Sequence, residues 1–189
     1  QNDTFVGSIT VADTVKPTSA DAIAKLHQQG CRTILLTGDN YEAAQQIAAE
    51  VGISASDVIA DVLPTQKADR ITELQQGGNT VAMVGDGIND AAALALSHLG
   101  IAMGTGTDVA MQAADLTLVR GDVEAVPEAL HLARRMNRIV RGNLFWAFIY
   151  NVAMIPLAML GFLNPMMAGL AMVCSDHFVV GNSLRLRWA

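Results

Sequence analysis

Val81-Ala82-Met83-Val84-Gly85-Asp86-Gly87-Ile88-Asn89-Asp90-Ala91-Ala92-Ala93-Leu94-Ala95 runs from a short apolar segment through a glycine-flanked acidic turn into an alanine-rich segment. The apolar part predicts a buried strand over Thr80–Val84, and the part after the turn predicts a helix over Asp90–Leu96. Asp86 and Asp90 stand four apart across that turn, so both carboxylates can face the strand's carboxyl end. The same grammar recurs on either side. Arg32–Leu36 reads as a strand ending in Thr37-Gly38-Asp39-Asn40, and Tyr41–Val51 as a helix closed by Gly52. Val58–Ala60 is a further short strand, Lys67–Gln76 a helix, and Gly100–Met103 a strand before Gly104. Upstream, Phe5–Val11 alternates like a strand, and Pro17, Thr18 and Ser19 open a helix over Ala20–Gln29 that Gly30 stops. Strands alternating with helices of about ten residues predict an α/β fold built on a doubly wound parallel sheet.

Ligands of such sheets gather at the carboxyl ends of the strands, where both polar clusters lie. Phosphoryl transfer to a carboxylate needs hydroxyl or amide donors, a lysine and carboxylates for Mg2+. Thr37 is a hydroxyl donor, and Gly38 lets the backbone come close to a phosphate. Lys67, in Pro64-Thr65-Gln66-Lys67, sits at a helix start from which it can reach back over the same ground. Asp86 and Asp90 offer the hard oxygens that suit Mg2+. Taken singly, Thr37-Gly38-Asp39 is an ordinary strand-to-helix turn and Lys67 a solvated surface charge. The run GDGINDAAALA followed by GIAMGTGTDVA specifies too many residues in order for turn chemistry alone.

Composition divides the chain near Arg141. The net charge of −6 comes from Asp and Glu scattered through the first part, which gives no nucleic-acid footprint. Between Asn143 and Leu184 the only formal charge is Asp176, over a length near two bilayer crossings of about 20 residues each. Arg134, Arg135, Arg138 and Arg141 precede the first apolar segment (Gly142–Phe162); Arg185 and Arg187 follow the second (Asn164–Leu184). Gly161–Pro165 between them carries no basic residue, so the positive-inside rule puts both outer ends in the cytoplasm. The division expected is a partial phosphate-handling domain over 1–122, a connecting helix over 123–141, two transmembrane helices over 142–184 and a tail over 185–189. Cys31 and Cys174 lie in different surroundings and predict neither a disulfide nor a metal clip. The polar start Gln1-Asn2-Asp3-Thr4 has no signal-peptide pattern.

TGDN, PTQK, VAMVGDGINDAAALA, IAMGTGTDVA and ADLTLV resemble the phosphorylation domain of P-type ATPases, a haloacid-dehalogenase-like fold. NLFWAFIYN, LNP and NSLRLR resemble the two closing core helices of the heavy-metal transporters in that family, and the likeness covers essentially the whole chain. It implies that Thr37, Gly38, Asp39 and Lys67 attend an aspartyl phosphate, that Asp86 binds Mg2+, and that Asn89 and Asp90 complete that site. It also implies ATP as a substrate bound mainly by an upstream domain, and a transported ion handled by Tyr150, Asn151, Met172 and Ser175, to which Asp176 adds a further candidate from its place beside Ser175. Copper, as Cu(I), is the favoured ion, since a soft thioether suits it. Partners implied are membrane lipid and the upstream parts of the same pump; a full-length pump chain is the partner only in the rival reading of a truncated membrane protein. The implied setting is the cell membrane, with the first part cytoplasmic.

Two departures stand out. The family's nucleophile lies in a DKTGT motif, and no such run occurs in this sequence. Neither Asp3 nor Asp13 follows an apolar strand with Lys-Thr-Gly after it. By itself the chain is therefore expected to be inactive towards ATP. Second, where the family shows paired serines the chain has Ser175-Asp176 followed by His177, which favours a harder or borderline ion such as zinc. In zinc-type relatives the characteristic aspartate aligns with Met172, which keeps copper in front. Intramembrane polar groups are functional candidates by default, and interhelical hydrogen bonding is the plain alternative for Tyr150 and Asn151. Met166 and Met167 read as lipid-facing packing ahead of an exit route. The rivals are a soluble haloacid-dehalogenase-like phosphatase with a helical tail, and a truncated membrane protein that assembles with or regulates a full-length pump.

Overall fold

A computed structural model describes residues 14–119, 121–162 and 164–185. The strand expected over Phe5–Val11 lies outside them. Contacts divide the chain into two units, residues 1–127 and 128–189.

In the first unit the order is α1 (Thr18–Gln28), β1 (Leu35–Leu36), α2 (Tyr41–Val51), β2 (Val58–Ile59), α3 (Pro64–Gln76), β3 (Ala82–Gly85), α4 (Ala91–Leu96), β4 (Leu99–Met103), α5 (Asp108–Ala113) and β5 (Leu116–Leu118). Local chemistry fixes several ends. Asn40 caps α2, its side chain accepting from the Ala43 amide at 2.9 Å. Gly52 closes α2 in the left-handed conformation, φ 82°, which a side chain would resist. Pro64 opens α3 at a position where its missing N–H costs nothing, so the helix starts three residues before the expected Lys67 and places that lysine in its first turn. Asp90 does not begin α4. It closes a single 3-10 turn, Ile88–Asp90, and α4 starts at Ala91. Helix α5 and strand β5 add to the elements that periodicity marked out.

All strands pair in parallel. Strand β1 pairs with β2 (Leu35 opposite Val58), β3 with β4 (Ala82 opposite Leu99) and β4 with β5 (Ile101 opposite Leu116). Among the described residues these make two sets, β1-β2 and β3-β4-β5, with no strand on the free edges of β1 and β3. The two neighbouring leucines of β1 show that helices cover both faces, because successive strand side chains point to opposite sides. Leu35 packs on the cluster of Ala48, Val51 and Ile53, against α2. Leu36 packs on the cluster of Ile71, Met83, Ala93, Leu94 and Ala110. The second cluster draws on α3, β3, α4 and α5, so both strand sets share a core.

The second unit is a helical hairpin. Helix α6 runs unbroken from Ala125 to Met159, so neither the compositional change near Arg141 nor Pro156 ends it. Gly161 turns the chain with φ 75°, and Asn164 caps α7 (Pro165–Leu184), accepting from the Met166 amide at 3.2 Å. Asn143 donates to the Ser183 hydroxyl at 3.0 Å and accepts from the Asn182 amide at 2.7 Å. Trp146 meets Phe178 edge-on, ring centres 5.6 Å apart. As the α6 number rises its α7 partner's falls, which makes the pair antiparallel. Among the described residues α6 alone is long and apolar enough to cross a membrane by length and composition. Asp176, His177 and Asn182 lower the apolar weight of α7.

Candidate phosphate and metal site

Thr37 leaves the end of β1 as part of the strand pairing, its amide donating to the Ile59 carbonyl at 3.0 Å and its carbonyl accepting from the Val62 amide at 3.1 Å. Its hydroxyl donates to the Asp39 carboxylate at 2.8 Å and accepts from the Asp39 amide at 3.1 Å. The hydroxyl is thus aimed by a closed local turn. A Cβ at Gly38 would lie 3.2 Å from the Val62 carbonyl, tight enough to favour glycine there. Asp39 also fixes the neighbouring loop, since its carbonyl accepts from the Asp61 amide at 2.8 Å.

At the end of β3, Asp86 and Asp90 are treated differently by the fold. Asp90 is buried, 7% exposed, and its two oxygens are engaged. One accepts from the Lys67 ammonium at 2.7 Å, and the other accepts from the Gly87 amide at 3.3 Å. The lysine and aspartate side chains are only 15% and 11% exposed, so this ion pair is shielded from water. Shielded pairs resist being broken more than surface pairs do. Lys67 is therefore no solvated surface charge. Asp86 is exposed, and its carboxylate has no hydrogen bond or ion pair among the described residues. Asn89, three residues on, is exposed in the 3-10 turn.

The glycines that make this possible were visible in the sequence, but their purpose was not. A Cβ at Gly85 would come 2.8 Å from the Asp90 Cβ, so the carboxylate of Asp90 lies directly over that backbone. A Cβ at Gly106 would come 2.5 Å from the Asp86 carbonyl and 2.8 Å from the Met103 carbonyl. The next residue, Thr107, donates its amide to the Asp86 carbonyl at 2.9 Å while its hydroxyl caps α5. Gly106 and Thr107 thus seat the backbone that presents Asp86. Their signal is the Gly-Thr-Gly-Thr run at the end of β4.

The donor set fits Mg2+. Among the described residues no group of three or more Asp, Glu, His or Cys side chains converges. The protein therefore offers Asp86, while both oxygens of Asp90 are engaged by Lys67 and Gly87. Mg2+ is commonly held by one or two carboxylates, with water and phosphate oxygens completing its shell. When bound it neutralises charge on phosphoryl oxygens.

The hairpin candidates are arranged otherwise. The antiparallel pairing puts Tyr150 and Asn151 level with residues 173–175, so Met172 and Ser175 lie at nearly the same depth. Depth is all they share. The Asn151 amide donates back to the Ala147 carbonyl of its own helix at 2.8 Å, Met172 is 67% exposed, and Asp176 is exposed. His177 bonds the Val173 carbonyl of its own helix at 2.8 Å.

A family model for haloacid dehalogenase-like hydrolases matches residues 2–98, and the chain belongs to that family. The resemblance to metal-transporting P-type ATPases extends much further along it. Cation-transporting P-type ATPase B of Mycobacterium leprae is 59% identical over 180 residues, 95% of this chain and 24% of that protein. A copper-exporting P-type ATPase of Staphylococcus aureus is 53% identical over 186 residues, 98% of this chain and 23% of that protein. The crystal structure of a zinc-transporting PIB-type ATPase in its E2.Pi state superposes with a TM-score of 0.86 at 37% identity, covering 93% of this chain and 28% of that one. The chain spans about a quarter of the length of the curated relatives it matches.

Proposed function

We propose that the chain is the C-terminal part of an ATP-driven heavy-metal exporter, supplying phosphate and Mg2+ ligands from its first unit and part of the ion path from its second. The observation that carries this is the shielded Lys67–Asp90 pair, together with Asp86 at the end of β3, which has no side-chain partner among the described residues. An α/β domain gains little from holding a lysine in that place for stability alone. Beside a phosphoryl group the ammonium neutralises oxygen charge, and Asp90 keeps it in position while the site is empty of phosphate. The Thr37 hydroxyl turns from Asp39 to donate to a phosphoryl oxygen. In this reading the ends of β1 and β3 form one site, and one more parallel strand between their free edges would deliver a nucleophilic aspartate to its centre. This sequence has no DKTGT run to follow such a strand.

The hairpin crosses the membrane twice in this reading, with both outer ends and the first unit in the cytoplasm. The exported ion is Cu(I), by the thioether of Met172 at the depth of Tyr150 and Asn151. Zinc is the second reading, favoured by the adjacent Asp176 and His177.

The test uses phosphorylation by radioactive ATP. The chain alone is expected to form no acid-stable, hydroxylamine-sensitive phosphoenzyme, because positioning cannot replace an absent nucleophile. Joined to the upstream part of a pump that carries DKTGT, it should form one that Asp86→Asn abolishes. Labelling of the chain alone, or full labelling of the Asp86→Asn pump, defeats the reading. Metal-stimulated ATPase activity with Cu(I) and Zn2+, compared between the parent pump and Asp176→Ser, decides the ion. A Zn2+ response lost with Asp176 favours the second reading.

A further inference from the structure

A cleft of about 270 Å3 opens between the outer ends of α6 and α7, lined by Arg135, Arg138, Ile139, Asn182 and Arg185. Nothing in the phosphate site or the ion path uses it. Among the described residues that line it, three are arginines and none is acidic. The walls are held in place: Asn143 ties α6 to Asn182 and Ser183, and the Arg135 guanidinium donates to the Arg185 carbonyl at 3.2 Å. That bond occupies part of the Arg135 fork and satisfies a carbonyl at the end of α7. Arg138 makes no hydrogen bond or ion pair among the described residues. Guanidinium forks match the paired oxygens of a phosphate.

The position of the cleft selects the source of that phosphate. Along α6, Asn143 lies ~8 Å beyond Arg138 and Trp146 ~12 Å beyond it. Trp146 and Phe178, about half exposed, are joined edge to face there. The cleft therefore stands at the step from arginine-rich helix to apolar helix, with an aromatic pair below it. Aromatic rings of this kind settle at headgroup level. Basic pockets between membrane helices on that side take anionic headgroups.

We propose that this cleft binds the phosphate of an anionic phospholipid, with an acyl chain continuing along the apolar face of the hairpin. The proposal rests on the reading that the hairpin spans the membrane. To test it, the full chain is reconstituted in vesicles of phosphatidylcholine and phosphatidylglycerol in equal amounts, and its retained lipid is measured by native mass spectrometry. Phosphatidylglycerol should be retained in preference. Arg138→Gln and Arg185→Gln should each weaken that retention about five-fold, the scale of one basic residue at a charged surface. Arg141→Gln, outside the cleft, should change it by less than about two-fold. Equal retention of the two lipids overturns the site, as does a loss with Arg141→Gln that matches Arg138→Gln, which would mean diffuse attraction. Displacement of phosphatidylglycerol by inorganic phosphate alone assigns the cleft to a free anion and overturns the lipid. Alkaline carbonate extraction of the same vesicles separates the failures. A chain that stays inserted without headgroup preference defeats only this site, and a chain that is extracted defeats both the site and the membrane reading.

Discussion

The two units of this chain solve the problem of polar groups in opposite ways. In the first, apolar side chains such as Leu94 and Ile101 are buried, and one polar side chain of the candidate site, Lys67, is held by a partner distant in sequence, Asp90. In the second, no described side chain from Glu128 onward is buried, while Phe148, Ile155, Leu160 and Leu170 stand largely exposed. Asn151 and His177 turn back on their own helices. A unit that buries a core sets its site by packing. A unit whose apolar surface faces outward leaves that surface to its surroundings, here proposed to be lipid, since an exposed apolar area of this extent marks a membrane or protein interaction surface.

The contrast is testable by where substitutions are felt. The largest effect is expected at Lys67→Ala, which strands Asp90 in a shielded place. The chain should lose about 3–5 kcal/mol of first-unit stability in urea unfolding, and the complete pump its phosphoenzyme. The double change Lys67→Met with Asp90→Leu should recover stability but not phosphorylation. A loss under about 1 kcal/mol for Lys67→Ala would place the pair at an ordinary surface.

Gly106→Ala comes next. The added methyl meets backbone carbonyls, which cannot swing aside, so about 1–3 kcal/mol is expected. The complete pump should then need more Mg2+ for half-maximal phosphorylation, because the displaced backbone belongs to Asp86. Unchanged Mg2+ dependence in a folded variant would detach Gly106 from the site.

In the hairpin the expected effects are smaller. Asn143→Ala removes the bonds to Asn182 and Ser183, and membrane hydrogen bonds are worth about 0.6 kcal/mol on average and about 1.7 at most. Thermal unfolding in detergent followed by circular dichroism should shift slightly, with the first unit unaffected. A shift as large as that of Lys67→Ala would erase the distinction between the units.

The smallest effect belongs to Asp122, just before α6. The Glu124 amide first, then the Thr18 hydroxyl, hold its carboxyl below the ordinary value of 3.8, against desolvation and with a smaller contribution from the charge of Lys16. A depressed folded value means a contribution fully present above the unfolded value and lost as pH falls through the folded one. Melting temperatures of the parent and Asp122→Asn should therefore differ at neutral pH and converge in strong acid. A gap that widens on acidification would reverse the sign.

Much of this was legible in the chain itself. The alternation of apolar runs and helices, with Asp86, Thr37 and Lys67 at strand or helix ends, pointed to a parallel α/β fold and to the location of the candidate phosphate site, because hydrophobic period and turn residues are local properties. The motifs carried the family as well. Element ends were less accessible. Lys67 belongs to a first turn opened by Pro64, and Asp90 to a 3-10 turn, since the helix start there depends on what its carboxylate bonds. Helix α6 crosses the charge step at Arg141 because backbone bonding follows helix-forming residues, which continue through it, and ignores side-chain polarity.

What the sequence by itself determined is the kind of sheet, the residues at its carboxyl ends, the apolar character of the second part and the lack of a DKTGT nucleophile. The tertiary structure alone decided that Asp90 is spent on Lys67 and Asp86 left open, that Gly85 and Gly106 make room for these two aspartates, and that three arginines from two helices line one cleft. Each of those is a contact between residues distant in sequence or a clearance between backbones. Such facts arise only when elements pack, because periodicity along a chain says which face of an element turns inward but not which atom it will meet there.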